Sequence, residues 1–280
     1  MKTRVITGLV ALAVFLPFLI FSNTWLFGFA MAVCATISVF EALRCVKLHK
    51  NYAISVPLLV LGAVLPMSVY FAGGHLSFLR FAVPCMLLCV LWLLAVTVFA
   101  SETVSLPELS TAAFLCFYIV CAFSSILFLR YYNEFGAVTY LLIFVGAWVT
   151  DSCAYFCGMF FGKHKLIPQI SPKKTVEGSI GGILFCALSF MLYGWILRHW
   201  LHVATDFNYF LLFVYGVVVS VVSQIGDLAM SAVKRHYQIK DYGKILPGHG
   251  GILDRFDSIL AVSMVLFVLN EISNVFVAIG

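Results

Sequence analysis

Five Lys/Arg and four Asp of this 280-residue chain fall within one stretch, Ser223 to Ser258. It carries Asp227, Ser231, Lys234, Arg235, Lys240, Asp241, His249, Asp254, Arg255 and Asp257. Helical spacing places Asp227, Ser231 and Lys234 on one face, at i, i+4 and i+7. Pro247-Gly-His-Gly-Gly251 then reads as a turn whose backbone N–H groups suit an anion. Asp254 and Asp257 follow at the start of a helix, where the dipole favours negative charge. Carboxylates on two helix ends, with Lys, Arg and His between them, suit a hard dication. Magnesium accepts one or two carboxylates and leaves its other positions to phosphate oxygens. The chemistry expected is therefore a metal ion, Mg2+ by its ligand preference, plus a polyphosphate. Neither a His-x-x-x-His pair nor a Cys cluster suggests zinc, and there is no haem attachment motif.

A second polar stretch runs from Asp151 to Gly178 and includes Lys163, Lys165, Lys173 and Lys174. Two prolines, Pro168 and Pro172, shape this loop, and Thr175 and Gly178 lead into another helix. A helix start flanked by lysines is a natural place for phosphate. Gly158-Met-Phe-Phe-Gly162-Lys163-His164 resembles a P-loop only superficially. It has one residue too few between its glycines, and His stands where a Ser or Thr would reach magnesium. Gly178 and Gly182 form a G-x-x-x-G better suited to helix packing.

The elements that must position these residues are membrane spans. Hydrophobic residues make up 63% of the chain and charged residues 10%, with a mean hydropathy of +1.06. An average soluble domain has about 25% charged residues. A soluble enzyme, a disordered tail and a secreted disulfide scaffold are thereby excluded. A helix needs about 20 apolar residues to cross roughly 30 Å of hydrocarbon. That ruler predicts an all-α polytopic membrane protein of about nine spans: Val5–Phe21, Thr24–Phe40, Ala53–Phe71, Leu79–Ala100, Thr111–Leu129, Gly136–Phe156, Ser179–Leu197, Asn208–Met230 and Ser258–Ile279. Of the 17 Lys/Arg, all but Arg80, Arg130 and Arg198 fall on the side of the N-terminus. The positive-inside rule then gives an N-in, C-out orientation. The first span is expected to be a retained helix, since its apolar run is long and further spans follow.

Residues 1–130 form five spans with chemically plain loops, and Glu41, Glu102 and Glu108 read there as solvated. Residues 131–280 form four spans with two polar cytoplasmic loops. Asp151 lies in the cytoplasmic half of the sixth span, where a charge costs up to about 2.5–3.5 kcal/mol and calls for a partner. The nine cysteines show no C-x-x-C pair and read as packing residues. The net charge of +5 is explained by topology and anionic lipid headgroups, not by nucleic acid.

The sequence resembles the phosphatidate cytidylyltransferases (CDP-diacylglycerol synthases). The resemblance is carried by Ser231, Lys234-Arg235, Lys240-Asp241, Pro247–Gly251 and Asp254-Arg255-Phe256-Asp257 at matching spacing. Ser223–Leu228 and the stretch from Gly162 to Gly178 add to it. The chain departs from the family pattern at Cys153, Met159 and Met230, where Gly, Arg and Glu are common. The resemblance implies transfer of CMP from CTP to phosphatidic acid by a magnesium-dependent homodimer in the inner or plasma membrane, acting on its cytoplasmic side. Asp227 and Asp254 are carried over as metal ligands, with Asp257 and Asp241 behind them. Lys173, Lys174, Lys234, Arg235 and Lys240 would supply positive charge for the phosphates. Ser231, Arg255, Asp151 and His249 complete the expected site, and Gly250-Gly251 would allow close backbone approach. Tyr155 and Tyr237 are stacking candidates for cytosine. Two other readings stay open at this point: a CTP-dependent enzyme for another phosphorylated lipid, and a secondary transporter using Asp151 and Asp227 as coupling residues.

Overall fold

The structure is a computed structural model that describes residues 16–100, 102–133, 135–200, 206–245, 248, 250–273 and 276–277. Long helices dominate, in the order α1 (Trp25–Cys45), α2 (Tyr52–Phe71), α3 (His75–Phe99), α4 (Leu106–Tyr131), a single turn α5 (Gly136–Thr139), α6 (Leu141–Phe161), α7 (Val176–His199), α8 (Tyr209–His236) and α9 (Leu253–Ile272). Between α6 and α7 lies a hairpin, β1 (Lys165–Ile167) and β2 (Ser171–Thr175), paired antiparallel. A two-residue pairing joins β3 (Asp206–Phe207) to β4 (Phe276–Val277).

Among the described residues, seven helical segments are long and apolar enough to cross a membrane, namely α1, α2, α3, α4, α5–α6 together, α7 and α8. The all-α polytopic class expected from composition is what the chain adopts. The predicted first span lies largely outside the described residues. The predicted ninth corresponds to α9, which opens with Asp254, Arg255 and Asp257. Several helices run past the predicted apolar limits: α1 continues to Cys45, α6 to Phe161 and α8 to His236. The extra turns carry Arg44 at the end of α1 and Lys234, Arg235 and His236 at the end of α8, while α6 stays apolar to Phe161.

The chain makes two compact units: Met1–Glu134 with His236–Phe256, and Phe135–Arg235 with Asp257–Gly280. In the first, α1 packs on α2 and α4. Phe27, Met31, Ala35 and Val39 of α1 recur every four residues and are all buried, the stripe of a helix facing a core. Ile54, Leu58 and Leu65 of α2 meet that core, with Leu115, Ile119, Phe123 and Ile126 of α4. Helix α3 leaves Leu79, Leu87, Leu88, Leu91 and Leu94 exposed, as a lipid-facing helix does. Pro57, Pro66 and Pro84 sit inside α2 and α3, which membrane helices tolerate where the freed carbonyls find partners.

In the second unit α6, α7, α8 and α9 approach closely through small residues. A Cβ at Gly216 would lie 2.5 Å from the Cα of Ala187, and one at Gly226 2.5 Å from the Cβ of Ala261. Gly182 faces the Thr150 carbonyl and Ala154, so the G-x-x-x-G is a packing contact as expected. Thr150 Oγ1 donates to Ser220 Oγ at 2.9 Å, tying α6 to α8 in the interior. All nine cysteines are free.

Candidate active site

Four elements of the second unit surround a cavity of about 330 Å³. Helix α6 contributes Asp151, Ala154, Tyr155, Gly158 and Met159, and the hairpin Leu166, Lys173, Lys174 and Thr175. Gly178 and Ser179 come from the start of α7, Gln224 and Asp227 from α8. The hairpin was not expected from sequence. Its strands are three and five residues long, too short to reveal an alternating pattern. It brings the Lys174 ammonium to a carboxylate on a helix and leaves Lys173 on the cavity wall.

The entry to α7 shows how the sequence fixes this geometry. Thr175 is the N-cap residue, and its Oγ1 accepts from Gly178 N at 3.1 Å. Glu177 in the first turn accepts from Lys163 N at 3.1 Å and His164 N at 3.2 Å. Its Oε1 also lies 2.6 Å from His164 Nδ1. The segment after α6 is thus fastened to the helix that follows the hairpin. A Cβ at Gly158 would meet Thr175 Oγ1, and one at Gly162 would meet the Gly158 carbonyl and Thr175, so these glycines serve packing, which supports setting aside the P-loop reading. Thr175→Val keeps the volume and loses the cap. It should lower stability by about 1 kcal/mol, read as a downshift in Tm of about 2–4 °C for the purified protein.

Asp227 is the centre of the charged group. Its carboxylate pairs with the Lys174 ammonium, with both side chains a quarter exposed. Ser231 Oγ donates to Asp227 Oδ1 at 3.5 Å, so the helical face read from sequence is present. Gln224, one turn earlier, donates to the Ser179 carbonyl at 3.3 Å and joins α8 to the start of α7. Asp257, at the start of α9, feels the charges of Asp227, Lys234 and Asp151. Asp151 in turn accepts from Ser258 Oγ at 3.2 Å. Lys234 is buried within α8. Arg235 reaches the hairpin turn, where its Nε donates to the Ile170 carbonyl at 3.4 Å. Asp151, Lys173, Lys174, Asp227, Ser231, Lys234, Arg235 and Asp257 all belong to this unit.

Asp254, Gly250, Gly251, Lys240, Asp241 and Arg255 belong to the first unit. Asp254 is buried, and its Oδ2 accepts three backbone N–H groups: Tyr242 at 2.8 Å, Gly243 at 3.4 Å and Gly251 at 2.9 Å. The sequence led to the expectation of an anion at this turn, and the anion met by the Gly251 N–H is a carboxylate of the chain itself. Gly250 has φ +87°, a conformation that glycine adopts without strain. Lys240, Asp241 and Arg255 are exposed. His249 lies outside the described residues. Tyr155 lines the cavity, whereas Tyr237 packs edge-on against His236 with centroids 4.9 Å apart. Met159 also lines the cavity, and Met230 is buried in α8.

Glu41 is the residue that sequence reasoning misread. It was expected to be solvated at a span end, but it is 1% exposed. Its two oxygens accept from Ile252 N at 3.2 Å and Leu253 N at 2.8 Å. The predicted span ended at Phe40, and the extra turn of α1 is what carries Glu41 to those amides. Only the fold reveals a partner more than 200 residues away in sequence.

Among the described residues, no three His, Cys, Asp or Glu side chains are grouped so as to hold a metal ion by themselves. The oxygen chemistry still suits magnesium, because two carboxylates with phosphate oxygens complete its coordination. Asp227, which accepts from the Ser231 hydroxyl, and Asp257, which feels the charge of Asp227, have that chemistry.

Comparison with known proteins gives this arrangement a context. The chain matches the model of the cytidylyltransferase family over residues 2–273. It is 38% identical over 275 residues to a phosphatidate cytidylyltransferase of Bacillus subtilis (strain 168), covering 96% of this chain and 97% of the relative. The identity is also 38% over 276 residues to the phosphatidate cytidylyltransferase of Staphylococcus haemolyticus (strain JCSC1435), covering 96% and 98%. For that of Staphylococcus saprophyticus it is 36% over 271 residues, again covering 96% and 98%. A match along nearly the whole chain takes in both units and both polar stretches, and this chain belongs to the cytidylyltransferase family.

Proposed function

We propose that the chain is a phosphatidate cytidylyltransferase, which transfers CMP from CTP to phosphatidic acid and releases pyrophosphate. The observation that carries this reading is the cluster of Asp227, Lys174, Asp257, Lys234 and Asp151, part of it bordering a lysine-lined cavity, in a chain that matches the family along nearly its whole length. A phosphate oxygen of phosphatidic acid attacks the α-phosphorus of CTP. The bond from that phosphorus to the oxygen bridging to the β-phosphate breaks, and pyrophosphate leaves with the electron pair. The attacking phosphate is already anionic at neutral pH, so no strong base is needed. The obstacle is repulsion between a phosphomonoester and a triphosphate. The protein must hold the two in line and neutralise charge on the leaving group.

Lys173 and Lys174 on the hairpin and Lys234 and Arg235 on α8 are proposed to hold the triphosphate. Asp227 and Asp257 would hold a magnesium ion, and Asp254 is assigned to ordering the turn whose amides it accepts. Magnesium, when bound, would neutralise phosphate charge and orient the leaving pyrophosphate. Lys174 rests on Asp227 in the free protein, so the lysine carried by the hairpin is kept beside the carboxylate until a phosphate competes for it. The lipid tails need not leave the bilayer, which accounts for a catalytic region, residues 131–280, built of spans and short loops. A homodimer of nine-span subunits, N-in and C-out, with the polar loops on the cytoplasmic face of the inner or plasma membrane, completes the proposal. The excess of Lys/Arg on one side supports that orientation.

The test uses full-length protein purified in detergent with labelled CTP, magnesium and phosphatidic acid. A labelled lipid that co-migrates with CDP-diacylglycerol, with one pyrophosphate released per lipid formed, is the expected result. Monodisperse protein that makes no cytidylylated lipid would overturn the reading.

A further inference from the structure

Two carboxylates organise the described parts of the glycine-rich segment between α8 and α9. Asp254, local to it, accepts from Tyr242, Gly243 and Gly251. Glu41, from α1, accepts from Ile252 and Leu253, the amides that open α9. One turn further along α1, Arg44 Nη2 donates to the Tyr242 carbonyl at 3.0 Å. The two ends of the segment, Tyr242 and Leu253, are therefore both tied to the same turn of α1.

The glycines of the segment record the same packing. A Cβ built on Gly243 or on Gly251 would run into the Glu41 carboxylate, well inside van der Waals contact. Neither glycine has the positive φ that would by itself favour glycine. At Gly251 room for the glutamate is therefore what excludes a larger residue, and at Gly243 the Gly251 Cα, 2.6 Å from such a Cβ, excludes it as well. A cap at this helix start is available cheaply from a local Ser, Asn or Asp. A carboxylate taken out of water is a costly alternative, several kcal/mol per ion before its hydrogen bonds compensate. Such a cost is consistent with a segment whose shape matters beyond stability.

We infer that Glu41, assisted by Arg44, is a positioning residue that holds the backbone at Tyr242, Gly243 and Gly251–Leu253 in its working shape for nucleotidyl transfer. This inference rests on the cytidylyltransferase reading of that segment. In Glu41→Gln one of the two backbone N–H groups faces an amide NH2 in place of an acceptor oxygen. The segment then loosens without loss of the helix bundle. Displacement of reacting groups by about 1 Å costs up to about 100-fold in rate.

The experiment compares wild type and Glu41→Gln, purified full length. It measures kcat, KM for CTP, Tm, and hydrogen exchange at Tyr242, Gly243 and Gly251–Leu253. The expected result is a fall in kcat of about 10- to 100-fold that exceeds any rise in KM, with faster exchange at those amides and Tm within about 3 °C of wild type. An unchanged kcat per folded molecule, or unchanged exchange, overturns the inference. If Glu41→Gln does not yield monodisperse protein, Arg44→Gln leaves both carboxylates in place and is expected to change the same readouts by severalfold. A wild-type result there overturns the inference equally. Gly251→Ala, made in the wild-type and Glu41→Ala backgrounds, adds an independent arm. Its cost in kcat should be at least about tenfold smaller where the glutamate is gone, and simple multiplication of the two costs counts against the proposal. Wild-type protein that makes no CDP-diacylglycerol would refute the enzyme assignment. The exchange arm would still report on the role of Glu41 in the segment.

Discussion

Asp227→Asn should abolish nearly all CTP-dependent lipid cytidylylation, with kcat down about 100- to 1000-fold, the scale seen when a group stabilising transition-state charge is removed. Asn matches Asp in size, and its carbonyl oxygen can still accept from Ser231 Oγ. The change therefore removes charge and little else. The ion pair with Lys174 is lost, but both side chains are a quarter exposed, and a pair so hydrated contributes about 0–1 kcal/mol to stability. Tm and detergent extraction should hardly change while turnover collapses. A second readout separates the metal assignment from a general electrostatic one. If Asp227 holds magnesium, the residual activity of Asp227→Asn needs a higher magnesium concentration for half-maximal rate. Wild-type turnover in the variant would remove Asp227 from the mechanism. Lost turnover with an unchanged magnesium requirement would leave it in the mechanism but not as a ligand.

What could be read from sequence divides along physical lines. Spans were legible because each is a local property of about 20 consecutive residues, and the helices found agree with most predicted limits to within a few residues. The Asp227–Ser231 face was legible for the same reason, since 3.6 residues per turn needs no tertiary information. Contacts between distant elements were not. The pairing of Lys174 with Asp227 depends on a hairpin whose strands are too short for a periodic signal. Glu41 was dismissed as solvated because nothing near it in sequence signals that its carboxylate is surrounded by amides from residues 252 and 253. The turn before α9 showed a different limit. Glycine-rich spacing announced exposed amides waiting for an anion, but spacing alone does not say whose anion. At Gly251 it is Asp254.

Asp254 should be at least as sensitive as Asp227, and for a different physical reason. Its Oδ2 accepts three backbone N–H groups in a buried setting. A carbonyl oxygen has two lone pairs and no net charge, so Asn cannot satisfy the same three donors equally well. Each buried donor left unmet costs about 1–3 kcal/mol, and Ala would leave all three without their acceptor. Gly250 adds to the constraint, because a Cβ there would meet Asp254 Oδ2 at 2.8 Å. Asp254→Ala is therefore expected to lose activity on the order of 1000-fold and to lower Tm by more than Asp227→Asn does. Asp254→Asn should fall between wild type and Ala in both respects. Exchange at the Tyr242, Gly243 and Gly251 amides should rise in the same order, since those N–H groups are released together. Loss of activity with unchanged exchange would show that the carboxylate acts on substrate and not on the turn. Near-wild-type turnover in Asp254→Ala would show that the turn does not need ordering. A carboxylate whose single oxygen accepts from three amides does its work by fixing where backbone and neighbouring side chains stand.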